Sequence, residues 1–436
     1  MTYFYLYAHC YLIKGEINYC IYDIFQKRLF WLDKSPYRGL IAALEAGNPL
    51  EEICERLEID YNTHYNFLKF IEHMDYGTFH KKPIFSEKYR PYLLSSQEER
   101  FFIHRPLQQT VVEISNKCSH NCKICGFKGG KPTTLCACGV WSGKDKSRYT
   151  INIEKTIDEI AGNGCKKILI QGGDPFLNKD ILYTWINEAK KKNIKVTIQC
   201  PPQVFEKNEW DYICQNDIKL IIPLWSHEPN IYENMTGVKG SYEALIDLMN
   251  KNKNSKAKPI SIKLILTQET FLDKKDILNF ITNYSINRVF IDCFVDDKHT
   301  EDEVKLKQFK QFFYKNNKAS FKILNHQFFR ASKGHSCWQD QLAITYNGDV
   351  IPCIAARNHI IGSIKNDGLL KDIIRLKQHF PYRNLTKDNY KPCNLCEFRY
   401  NCLGCSLMTE RTFGDMKNRE WNCRYDPVAG TFTKEL

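Results

Sequence analysis

From residue 111 onward the chain alternates short, β-branched apolar runs with longer stretches in which apolar residues recur every three or four positions. The strand-like runs are 111–115, 167–171, 194–199, 218–224, 259–266 and 288–294, and helical periodicity fills intervals such as 179–192, 241–252, 273–284 and 301–316. A strand, a helix and a second strand close with a right-handed crossover onto a parallel sheet, and six such units in tandem predict an open, partial barrel. Reactive loops in such sheets gather at the C-terminal ends of the strands. The run Cys118-Ser-His-Asn-Cys122-Lys-Ile-Cys125 falls at that end of the first strand. Three thiolates on one short loop can hold three irons of a cubane cluster and leave the fourth open to a small molecule. Zinc is an alternative that the spacing leaves open.

At 436 residues the chain is long enough for two or three domains. No apolar run is long enough to span a bilayer and no signal peptide is evident, which predicts a cytoplasmic protein. Structural disulfides are rare there, so clustering among the 19 cysteines points to metal. The formal charge of +12 comes from scattered lysines and reads as a solvated surface, with an acidic peptide or nucleic acid as conceivable partners.

Before the barrel, residues 3–32 carry aromatic and polar residues in short runs that predict three strands, followed by helical patterns over Tyr37–Ala46, Pro49–Leu57 and Tyr61–Met74. This resembles a winged helix-turn-helix module. The expected organisation is a module at 1–80, a linker at 81–108, the barrel at 109–325 and a cysteine-rich segment at 326–436. In that last segment stand Cys337, Cys353, Cys393, Cys396, Cys402, Cys405 and Cys423. Two Cys-x2-Cys pairs would also suit a zinc ribbon.

The three-cysteine loop resembles the cluster loop of the radical S-adenosylmethionine (SAM) superfamily. That resemblance implies a [4Fe–4S] cluster on Cys118, Cys122 and Cys125, SAM on its open iron, and reductive cleavage of SAM to a 5'-deoxyadenosyl radical that abstracts hydrogen. Gly172-Gly173-Asp174-Pro175, one β-α unit later, is similar to the family's Gly-Gly-Glu-Pro motif against SAM's amino group, with Asp174 in place of glutamate. Phe127 would lie against adenine. Pro223 stands where many relatives carry a ribose-binding serine, so Gln199 at the end of the third strand is the substitute for that contact. The C-terminal cysteines resemble the SPASM extension, which implies two auxiliary iron–sulfur clusters, one on Cys393, Cys396, Cys402 and Cys423, the other on Cys337, Cys353 and Cys405. Ala343 lies near where some members place a fourth ligand. Cys136 and Cys138, in an insertion, read as unligated loop thiols.

Residues 1–80 look like the recognition element fused to maturases of ribosomally made peptides, in which a leader segment adds to the third strand and packs on the third helix. Leu29, Trp31, Phe67 and Phe70 would line that groove. The resemblance therefore implies a radical SAM/SPASM peptide maturase that forms a thioether or carbon–carbon crosslink, with a precursor peptide and a reductant such as flavodoxin or ferredoxin as partners. The alternatives are a peptide epimerase or decarboxylase of the same superfamily, or a DNA-binding iron–sulfur regulator. The last is disfavoured because the third helix, Tyr61–Met74, has little Arg or Lys for phosphate.

Overall fold

The computed structural model describes residues 1–33, 36–84, 107–123, 151–267, 270–293, 308, 325–335, 338, 340–365, 384–402, 406–419, 423 and 425–432. The chain divides into two compact units, residues 1–105, 317–339 and 384–436 in one, residues 106–316 and 340–383 in the other.

In the first unit, β1 (Tyr3–Leu6), β2 (Cys10–Lys14), β3 (Tyr19–Asp23) and β4 (Arg28–Leu32) precede α1 (Tyr37–Glu45), α2 (Leu50–Arg56) and α3 (Tyr61–His73), and β5 (Gly77–His80) follows. Strands β2, β3 and β4 form an antiparallel sheet in that order, and β1 pairs with β5. There are thus four strands before the helices where the sequence predicts three; the extra one, β1, pairs with β5 rather than with the three-stranded sheet. Asp60 caps α3 by accepting from Thr63 N at 2.6 Å, which fixes where that helix begins.

Side chains alternate across a strand, so the sheet has two faces, and here both are apolar. Ile21 and Leu32, with Phe30, join Leu40, Ile41, Leu44, Leu68 and Ile71 of the helices. Cys20 and Tyr22, with Tyr11, Leu29 and Trp31, pack instead against Phe328, Phe398 and Tyr425. The sheet is therefore covered twice, by its own helices and by the C-terminal part of the same unit. That part contains the short helical turn Cys393–Leu395, a helix at Ser406–Phe413 and a hairpin of β15 (Tyr425–Asp426) and β16 (Thr431–Phe432).

The second unit holds six parallel strands in sequential order: β6 (Gln109–Glu113), β7 (Lys167–Gln171), β8 (Lys195–Gln199), β9 (Lys219–Leu224), β10 (Ile260–Leu266) and β11 (Val289–Cys293). All six coincide with the expected strands to within two residues at each end. Helices Ile153–Gly162, Lys179–Lys191, Lys207–Gln215, Pro229–Thr236, Ser241–Asn254 and Lys274–Asn283 alternate with them. Helix 301–316 falls almost wholly outside the described residues. Val112, Ile168, Ile170, Val196, Ile198, Leu220, Ile222 and Leu264 face these helices in one large core. A further strand, β12 (Gln341–Ile344), pairs in parallel with the other side of β6, and β13 (Asp349–Ile351) and β14 (Gly362–Ser363) continue the sheet antiparallel. The barrel sheet thus recruits residues from beyond 326.

Candidate functional site

The C-terminal end of β6 runs directly into the cysteine loop, and the following loops hold it by backbone contact. Gly173 N donates to Ser115 O at 2.9 Å and Asp174 N to Lys117 O at 2.7 Å. On the other side, Asn121 N donates to Thr236 O and Lys123 N to Met235 O, both at 2.9 Å. The glycines make this approach possible. A Cβ on Gly173 would stand 2.0 Å from Lys117 O, and one on Gly172, whose φ is +139°, 2.4 Å from Ser115 O. The sequence suggests that these glycines admit a ligand; what they admit here is the cysteine loop itself.

Asp174 is 1% exposed and its carboxylate is taken up within the protein. Oδ1 accepts from Phe176 N at 3.0 Å and caps the turn Pro175–Asn178; Oδ2 accepts from Ser119 Oγ at 2.7 Å and from Gln203 Nε2 at 3.0 Å. Its observed work is to clamp the cysteine loop through Ser119. Substituting Asp174→Ala removes three hydrogen bonds to one carboxyl group, each worth about 0.5–3 kcal/mol net of exchange with water. We expect at least tenfold weaker SAM binding by equilibrium dialysis, with Asp174→Asn much milder because its amide oxygen still caps the turn.

Cys118 and Cys122 are both half-exposed on this loop, and the sulfur of Cys118 accepts from His120 N at 3.4 Å. Burial, opposed by Asp174, holds the His120 imidazole below its usual range. Cys125 and Phe127, like Cys136 and Cys138, lie outside the described residues.

The strand face opposite the helices carries a polar row. Glu113 stands beside Gln171 in register, and Gln199 follows on the next strand. Neighbouring strands are about 4.8 Å apart, so one ligand can touch several of these side chains. Gln171 and Gln199 are 3% and 5% exposed, and neither Nε2 has a partner among the described residues. Two buried, unsatisfied amide donors cost about 1–3 kcal/mol each, and they await acceptors that a bound molecule would bring. This row fits a ligand such as SAM, rich in hydroxyl, carboxylate and ring-nitrogen acceptors. Glu113 differs. It is wholly buried and accepts from both terminal nitrogens of Arg357, at 2.8 Å for the Nη1–Oε2 contact, and from Tyr346 N at 3.3 Å. Burial raises its carboxyl above the ordinary range, with the guanidinium opposing. Since Arg357 follows Cys353 by four residues, this ion pair ties the Cys353 hairpin to the strand that carries the cysteine loop. Sequence reading missed both Gln171 and Glu113; the signal was a polar residue closing each of three apolar strands.

In the other unit, Cys393, Cys396, Cys402 and Cys423 come together. Cys402 raises the thiol pKa of Cys393, Cys396 and Cys423, and Cys423 that of Cys396; burial is the larger cause throughout. Cys393 and Cys423 are each pushed up to about 11. Buried thiols that repel one another in ionised form need a cation to become thiolates together, which iron supplies. Among the described residues, His9, Cys10 and Asp23 put three ligand atoms within 4.8 Å of one another. The His9 trio is a turn anchor, because Asp23 already accepts from Phe25 N, Gln26 N and Arg28 Nε. Of the other proposed ligand set, Cys353 is described and half-exposed, while Cys337 and Cys405 lie outside the described residues.

The radical SAM superfamily matches residues 112–281, and an iron–sulfur cluster-binding (SPASM) domain matches residues 337–403. The chain carries a radical SAM domain and a SPASM domain. It binds SAM and a [4Fe–4S] cluster in the first and auxiliary iron–sulfur clusters in the second. The radical SAM cyclopropyl synthase TigE of Paramaledivibacter caminithermalis is 24% identical over 345 residues, covering 70% of this chain and 68% of TigE. The structure of Streptococcus suis SuiB bound to its precursor peptide SuiA superposes with a TM-score of 0.51 at 13% identity, over 97% of this chain and 100% of SuiB. That of anSMEcpe with bound AdoMet and a peptide gives 0.53 at 13% identity, over 74% and 95%. No helix among the described residues is long and apolar enough to cross a membrane.

Proposed function

We propose that this radical SAM/SPASM protein is a maturase of a ribosomally made precursor peptide, and that residues 1–80 form a winged-helix module that holds the peptide's leader. The observation that carries the reading is the outer edge of β4. Among the described residues β4 pairs only with β3, so a row of backbone donors and acceptors faces outward beside α3. Phe70 of α3 is 46% exposed, and its ring lies 6.1 Å from that of Phe30 on β4. An extended peptide added there gains main-chain bonds from β4 and a side-chain contact from Phe70. In this proposal the groove uses Phe30 and Phe70 rather than the full set Leu29, Trp31, Phe67 and Phe70. Leu29 and Trp31 point to the opposite face of the sheet, and Phe67 is stacked on Tyr37 at 3.7 Å within the module's packing. Phe30 takes the place of its two neighbours, because alternation puts it on the α3 side.

When bound, the cluster and SAM supply the 5'-deoxyadenosyl radical that removes a hydrogen atom from the peptide. The protein's own part is to hold the reactants. Gln171 and Gln199 donate to acceptors on SAM or on the peptide backbone, and the Gly172–Asp174 turn fixes the cysteine loop. Thioether or carbon–carbon bond formation after hydrogen removal leaves one electron to be carried away, a role for which auxiliary clusters are suited. A cytoplasmic flavodoxin or ferredoxin would return electrons to the SAM-binding cluster.

The test is to incubate reduced full-length protein with SAM and a short peptide encoded beside its gene, then to weigh the product. Loss of two hydrogens supports a crosslink, unchanged mass with altered stereochemistry an epimerase, and loss of carbon dioxide a decarboxylase. Leader binding is read by fluorescence anisotropy. Phe70→Ala is expected to weaken it about tenfold, a loss of about 1.4 kcal/mol. Preference of the protein for duplex DNA, with steep salt dependence, would instead favour the regulator. Lys69, the lysine of α3, lies over the Tyr65 ring at 5.3 Å, which gives that reading no support.

A further inference from the structure

The two residues that flank Cys396 are each bonded to the N-terminal sheet or its turn. Leu395 O accepts from Glu16 N at 2.8 Å, in the turn between β2 and β3. Glu397 O accepts from the Tyr22 hydroxyl at 2.9 Å. The Glu397 side chain reaches back to the same sheet, where Oε1 accepts from Trp31 Nε1 at 2.7 Å and also from the Tyr425 hydroxyl.

Glu397 is wholly buried, and its Oε2 has no partner among the described residues. That oxygen is pressed on Gly15, where an added Cβ would stand 2.7 Å from it. Taking a carboxylate out of water with so few donors is costly, and an apolar side chain of similar size would be buried at lower cost. What the carboxylate adds is direction. An indole N–H and a phenol O–H, both on rings packed against Phe398, fix the side chain and with it the backbone that leaves Cys396.

We infer that the N-terminal sheet is part of the auxiliary cluster site, and that Glu397, aimed by Trp31 and Tyr425, is the positioning residue for Cys396. The inference rests on the assignment of Cys393, Cys396, Cys402 and Cys423 to one cluster. It gives Trp31 a role in place of leader contact.

The experiment uses the full chain with Cys118, Cys122 and Cys125 replaced by alanine, so that iron reports the auxiliary clusters alone. Iron and sulfide per chain, the EPR spectrum of the reduced protein and the rate of iron loss to a chelator are measured for Trp31→Phe, Glu397→Ala, Glu397→Gln and Cys396→Ala. Trp31→Phe keeps the ring packing and loses only the N–H. It and Glu397→Ala are expected to release iron from one cluster about ten- to a hundredfold faster, with an altered EPR signal. Glu397→Gln, whose amide oxygen still accepts from both donors, should restore retention. Wild-type retention and spectrum in Trp31→Phe and Glu397→Ala, while Cys396→Ala loses a cluster, would overturn the positioning role alone. If Cys396→Ala keeps all its iron and an unchanged spectrum, the ligand assignment falls and the inference with it. Should Glu397→Ala not fold, Trp31→Phe decides.

Discussion

Full-length protein in which Cys118, Cys122 and Cys125 are all alanine is expected to form 5'-deoxyadenosine only at background, yet to keep its auxiliary iron. The Cys118 loop belongs to one compact unit and Cys393, Cys396, Cys402 and Cys423 to the other, where Tyr22 and Trp31 bond Glu397 beside Cys396; of the second proposed auxiliary set, Cys353 lies in the barrel's unit. Loss of the Cys118, Cys122 and Cys125 thiolates is therefore expected to remove one metal site and leave the one on Cys393, Cys396, Cys402 and Cys423 intact. Chromatography of the SAM products and iron analysis of the anaerobic protein together check both halves. Persistence of SAM cleavage would move the chemistry away from the β6 loop.

Gly173→Ala is expected to do nearly as much damage without touching a ligand. The new Cβ would lie 2.0 Å from Lys117 O, 2.5 Å from Lys117 C and 3.1 Å from Cys118 N, all backbone atoms that cannot rotate aside. Overpacking of this kind costs about 1–3 kcal/mol. Relief has to come from moving the loop that carries Cys118, and a displacement of about 1 Å in a catalytic group can lower turnover roughly a hundredfold. Denaturant melts of the cluster-free chain give the first number and SAM cleavage the second. Gly162→Ala is the control. It closes the helix Ile153–Gly162, nothing lies within 4 Å of its Cβ, and the change should be neutral or stabilising by up to about 1 kcal/mol.

The barrel strands were legible because each is a compact β-branched run buried on its helix side and separated from the next by a long amphipathic segment. The cysteine spacing was legible because it is local. What the pattern could not give was which face of β4 meets which partner. Arg28-Leu-Phe-Trp-Leu32 has no polar face, so period-two reading assigns Leu29 and Trp31 or Phe30 and Leu32 to the groove with equal right. Only the presence of Phe398 and Tyr425 on one side, brought there by tertiary folding, breaks the tie. The strand Gln341–Ile344 was missed for a related reason: four residues show little periodicity, and its parallel pairing with β6 is decided by a neighbour more than 200 residues earlier. Asp174 was seen, but its three internal donors, one of them Gln203, belong to loops that no motif joins.

The bonds from Trp31 to Glu397 and from Asn18 to Tyr425 join positions 366 and 407 residues apart. At synthesis rates of about 5–20 residues per second, the second partner of the Trp31–Glu397 bond leaves the ribosome roughly 20–70 s after the first. The helix-side core of the N-terminal module is local and can form at once, but the Tyr22 and Trp31 face must wait, uncovered and aromatic. A growing chain thus presents an apolar sheet surface until Phe328, Phe398 and Tyr425, the side chains that cover it, have all been made.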